Sequence, residues 1–88
     1  MPAHFFETEL ARIQDRFNKT FGEMAVCNIR TRQQTILAII RLRLLKRKIN
    51  TASKDSVRAE IRKFVRTKNN LNSIFNSIEK HQKERRQG

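Results

Sequence analysis

The stretch VRAEIRKFVRTKNNLNSIFNSI, residues 57–78, places Val57, Ile61, Phe64, Lys68, Leu71, Phe75 and Ile78 at successive intervals of 4, 3, 4, 3, 4 and 3. This rhythm follows the turn of an α-helix and lines the seven positions along one stripe, apolar but for Lys68. Asn69, Asn70, Asn72 and Ser73 lower helix propensity locally, yet the stripe crosses them without losing phase. The spacing therefore predicts one long helix over about residues 54–84, followed by a frayed tail at 85–88 that has no apolar residue to anchor it. Lys68 is expected to extend its amine to the rim of the core or to specify register.

Towards the N-terminus, Phe6, Leu10, Ile13, Phe17, Thr20, Met24 and Cys27 repeat the same intervals and predict a first helix over about 4–28. Gly22 weakens it by about 1 kcal/mol relative to Ala, and Thr20 with Glu23 offers a capping box at which it can restart. The polar run Asn28 to Thr35 breaks the stripe, so a boundary or bend is expected there, with Thr31 and Gln34 as a further helix start. A second helix over about 33–49 carries apolar residues on two sides. With about 100° between residues, Leu37, Ile40 and Leu44 gather on one face, and Ala38, Leu42, Leu45 and Ile49 on another. Asn50 to Ser53 form a connection, with Asn50 as a helix stop, Ser53 or Thr51 as an N-cap, and Asp55 in the following first turn.

Two Gly and one Pro among 88 residues leave almost no turn chemistry for a sheet. The expected fold is all-α: a single domain over 1–88, a long helical hairpin within a three-helix protomer. Long helices joined by short connections pack antiparallel. A second helix with two apolar faces has more to bury than its two neighbours cover, which predicts a homodimeric helical bundle. A chain of this length buries only a modest core unaided.

The charge is concentrated. Residues 29–68 hold 13 of the bases and only two acids, Asp55 and Glu60, which is +11 of the total +12. Such an excess is maintained against self-repulsion and points to a polyanion that supplies the missing negative charge. Lys54, Arg58, Arg62 and Arg66 recur every four residues, each step rising about 6 Å along the helix, a spacing comparable to that of successive phosphates. Lys46, Arg47 and Lys48 close the second helix, where cations also complement the helix dipole. Arg41 adds a further base. Arg30, Arg32, Gln33 and Gln34 combine guanidiniums, suited to phosphate, with amides able to meet sugar hydroxyls.

The aromatic residues narrow the choice of nucleic acid. Single-strand binders present rings on which bases stack. Here there is no Trp or Tyr, and Phe6, Phe17, Phe64 and Phe75 fall on the core stripes, with Phe5 and Phe21 beside them. A duplex is favoured, double-stranded RNA ahead of DNA, bound without strong sequence preference. DNA regulation or nucleoid packaging is the alternative, because Ile49 to Phe64 has the outline of a helix-turn-helix. A membrane-surface or protein-interaction module is another, since Ile36 to Lys48 mixes apolar and basic residues.

Other classes find little support. His4, His81 and the single Cys27 do not make a zinc site, no nucleophile has an evident base, and no glycine-rich loop cradles a nucleotide. Neither enzymatic activity nor a cofactor is expected. Ile36 to Leu45 is too short and too interrupted by Arg41 and Arg43 to span a bilayer, no signal peptide is visible, and a lone thiol suits a reducing compartment. An intracellular protein is expected, cytoplasmic rather than nuclear. In general plan, a basic helical-hairpin dimer resembles the small silencing suppressors of nodaviruses. The resemblance is one of architecture, with no shared motif, and it implies a protein that lies along double-stranded RNA and shields it from processing.

Overall fold

The computed structural model describes residues 3–22 and 29–87, in three helices: α1 (Ala3–Gly22), α2 (Ile29–Thr51) and α3 (Lys54–Gln87). No strand occurs among the described residues. Glu23 to Asn28, which include the expected end of the first helix and the proposed restart at Glu23, lie outside them, as do Met24 and Cys27.

The polar run ahead of the second helix is not a bend from Ile29 onward. It forms the opening turns of α2. Thr35 explains how the helix tolerates a hydroxyl there: its side chain is fully buried, and its Oγ1 donates to the Thr31 carbonyl at 2.8 Å, satisfying the group within its own helix. At the other end α2 continues past Asn50 to Thr51, whose hydroxyl donates back to the Arg47 carbonyl at 3.1 Å. Thr51 therefore closes α2. Ser53 takes the N-cap position of α3, its carbonyl accepting the Val57 N–H at 3.0 Å. Only Ala52 and Ser53 separate the two helices.

A connection this short turns the chain back on itself, so α2 and α3 run antiparallel. Cross-helix pairs show where α1 lies. Phe6 meets Phe64, Glu9 meets Lys68 and Arg16 meets Glu79, so α1 runs parallel to α3. Glu7 pairs with Lys46 and Gln14 with Arg43, so it is antiparallel to α2. The result is an up-down-up arrangement in which each helix touches both others. It is elongated, 52 × 22 × 17 Å, because the 34-residue α3 outruns its partners.

The core follows the stripes. Phe6 and Ile13 from α1, Leu42 and Leu45 from α2, and Phe64, Leu71 and Phe75 from α3 are buried together. Ile39 joins them, although neither apolar face assigned to the second helix included it. Phe6 and Phe64 meet edge to face with ring centroids 5.0 Å apart, the arrangement favoured by the ring quadrupoles.

Arg16 binds α1 to α3. Its guanidinium donates to the Glu79 carboxylate at 3.2 Å and to Oδ1 of Asn72 at 3.1 Å, reaches Asn76 as well, and lies 5.2 Å from the Phe75 ring centroid. Asn72, one of the residues that weaken α3 as a helix, is thus an acceptor for this cation. Replacing Arg16 with Ala removes a charge-assisted network and the packing of its stem; the expected loss is about 1.5–3 kcal/mol in urea unfolding, and an unchanged midpoint would show the network to be idle.

Lys68 is also resolved. Its amine reaches Glu9 at 3.7 Å and lies 5.7 Å from the Phe5 ring centroid, so the charge leaves the core stripe for an acid on α1.

Candidate nucleic-acid interface

Of the basic residues that reach a neighbouring helix, three meet acids and Arg43 meets the Gln14 amide oxygen. Lys46 is 3.3 Å from Glu7, Lys68 3.7 Å from Glu9 and Arg16 3.2 Å from Glu79. The ladder on α3 is different. Lys54, Arg58, Arg62 and Arg66 are all exposed, and none is in an ion pair with a described acid. Each four-residue step overshoots a full turn by about 40°, so the ladder winds slowly across the side of α3 that faces away from the core.

Within the same region, Asp55 sits exposed in the first turn of α3, where it complements the helix dipole. Glu60 is turned inward. One of its oxygens lies 3.6 Å from Lys63 and the other is buried with no hydrogen-bond partner. Neither acid neutralises the ladder.

The antiparallel hairpin gathers the remaining bases into two groups. Arg47 and Lys48 at the end of α2 lie beside Lys54 and Arg58 at the start of α3, because only two residues separate the helices. Lys46 is at this tip too, but leans towards α1. Arg30, Arg32, Gln33 and Gln34 are exposed at the opposite end of α2, about 20–27 Å away along the helix at 1.5 Å per residue. There Gln34 shares a groove with Asn70 and Ile74 of α3, which Arg41 also lines. The expected residues thus form a cluster at the hairpin tip, a ladder along α3 and a separate polar patch.

Two residues escaped the sequence reading. Asn69 and Asn70 line a shallow depression with Arg62 and Arg66, floored by Ile61 and Val65. Read as weak helix formers, they gave no functional signal; their position one turn beyond the ladder was the available clue. Their amides can donate to phosphate or sugar oxygens beside the guanidiniums.

None of the six phenylalanines is exposed: Phe6, Phe64 and Phe75 are buried, and Phe5, Phe17 and Phe21 are partly so. The helix-turn-helix outline does not materialise either, because α2 and α3 pack along their lengths instead of crossing steeply. Among the described residues no three His, Cys, Asp or Glu side chains gather to hold a metal, and no helix is long and apolar enough to cross a membrane.

The geometry defines an all-α three-helix protein with an unneutralised basic side. No known family model matches the chain, and neither a curated protein nor a solved structure matches it.

Proposed function

We propose that this protein is a homodimer that binds duplex nucleic acid with little sequence preference, double-stranded RNA ahead of DNA, and shields the strand it covers. The observation that carries the reading is the contrast between its bases. Lys46, Lys68 and Arg16, which reach across helices, have acids, while Lys54, Arg58, Arg62 and Arg66 stand exposed without them. Arg47, Lys48 and the Arg62–Asn70 depression extend this surface, and Arg30, Arg32, Gln33 and Gln34 add contacts at the far end.

A duplex suits this surface better than a single strand, since none of the phenylalanine rings is exposed for bases to stack on. RNA is preferred because a long helix laid along its partner offers no projecting element to read the DNA major groove. It is suited instead to the backbone and 2′-hydroxyls of an A-form helix. At 52 Å the protomer can follow a substantial length of duplex.

The test is a mobility shift with matched double-stranded RNA, double-stranded DNA and single-stranded RNA. Neutralising six to ten phosphates makes affinity fall about 10³- to 10⁵-fold between 50 and 200 mM salt. A flat salt response or strict preference for single strands would overturn the proposal, and preference for DNA would overturn its RNA half.

A further inference from the structure

The basic ladder of α3 ends in an amide. Continuing by fours from Lys54, Arg58, Arg62 and Arg66, the next position is Asn70, with Asn69 beside it. Asn69 and Asn70 are three and four residues beyond Arg66, the two spacings that set helix side chains next to each other. Both line the depression that Arg62 and Arg66 share. Asn70 also borders the groove between α2 and α3, where Gln34 and Arg41 supply a second amide and guanidinium.

Several other neutral polar side chains of α3 are already engaged. Asn72 and Asn76 accept from Arg16, the Thr67 hydroxyl donates to the Lys63 carbonyl at 2.8 Å, and the Ser56 hydroxyl is 3.1 Å from that of Ser53. Asn69 and Asn70 are exposed, and neither amide hydrogen-bonds another described residue. Each has two N–H donors and an oxygen acceptor to offer a ligand.

We propose that Asn69 and Asn70 are the residues by which this surface distinguishes RNA from DNA, through the ribose 2′-hydroxyl. The inference rests on the duplex-binding function proposed above and names the groups that give it its preference. Guanidiniums on phosphate do not discriminate, because both nucleic acids carry the same phosphate. The 2′-hydroxyl is what DNA lacks, and it both donates and accepts a hydrogen bond. A carboxamide matches it in both senses, whereas Arg and Lys only donate. RNA also holds the two ligands together, since its 2′-hydroxyl is on the carbon next to the one that bears the 3′-phosphate. A group that reads this hydroxyl must therefore stand beside one that binds phosphate, as the two asparagines stand beside Arg66. Their side chains are short, but the wide, shallow minor groove of an A-form duplex displays its hydroxyls at the surface.

The test compares the Asn69→Ala, Asn70→Ala double variant with the parent on matched duplexes of RNA, DNA and 2′-fluoro RNA, which keeps the A-form but cannot donate from the 2′ position. Ala is the better helix former, so circular dichroism should show helicity kept or raised. The parent should bind RNA about 10-fold more tightly than 2′-fluoro RNA, the effect of two neutral hydrogen bonds. The double variant should lose this about 10-fold advantage on RNA and change little on DNA or 2′-fluoro RNA. Its salt dependence should remain that of the parent, because no cation has been removed. Equal losses on all three duplexes would place the amides on phosphates and overturn the proposal, as would an undiminished affinity for RNA; both results leave duplex binding standing. A parent that binds no duplex would refute the proposed function and this inference with it.

Discussion

The triple variant Arg58→Ala, Arg62→Ala, Arg66→Ala is expected to bind double-stranded RNA at least about 100-fold more weakly near 100 mM salt, taking roughly 1 kcal/mol or more for each charged contact removed. The salt dependence should change with it. Each lost phosphate contact flattens the slope of log affinity against log salt by about 0.9 on B-DNA, with a comparable effect on RNA. Folding should hardly respond, since the three side chains are exposed and make no ion pair with a described acid. Circular dichroism should therefore match the parent. Lys63→Ala is the control: Lys63 also lies on α3, but is 3.6 Å from Glu60, so its loss should matter less. A triple variant that binds as tightly as the parent would remove α3 from the interface.

Phe64→Ala is expected to have the largest effect on stability, about 3–5 kcal/mol. Phe64 is completely buried, its edge-to-face contact with Phe6 joins α3 to α1, and its neighbours Leu42, Leu71 and Phe75 belong to the same core. A small domain has about 5–15 kcal/mol in all, so the variant should unfold at far lower urea, if it folds. Leu44→Ala makes the comparison, because Leu44 is 52 % exposed. Its loss should cost much less, since a large part of its apolar surface stays in water in the folded protein. Equal losses for the two variants would contradict the placing of Leu44 outside the core that holds Phe64.

Much of the architecture was readable from spacing. The intervals of 4 and 3 in residues 6–20 and 57–78 mark the stripes from which Phe6, Ile13, Phe64, Leu71 and Phe75 enter the core. A stripe of this kind has one interpretation, because only helical geometry brings those positions together. Boundaries were less legible. The run Arg30 to Gln34 is polar enough to suggest a bend, but it belongs to α2, whose register continues into buried Thr35. Asn72 and Asn76 carried no signal of their role, since Arg16 lies more than fifty residues away in the chain.

The charge excess of residues 29–68, the shortage of acids beside it and the two apolar faces of the second helix follow from residue order alone, because composition and a 3.6-residue turn dictate them. Which face of α2 is covered does not. Local periodicity makes Leu37–Ile40–Leu44 and Leu42–Leu45–Ile49 equal candidates; the packing of α1 and α3 buries Leu42 and Leu45, half-buries Ile49 and leaves the first set exposed. The same packing separates paired from unpaired bases, bringing Glu7 to Lys46, Glu9 to Lys68 and Glu79 to Arg16. Ion pairing depends on distances between helices, which residue spacing within one helix does not contain.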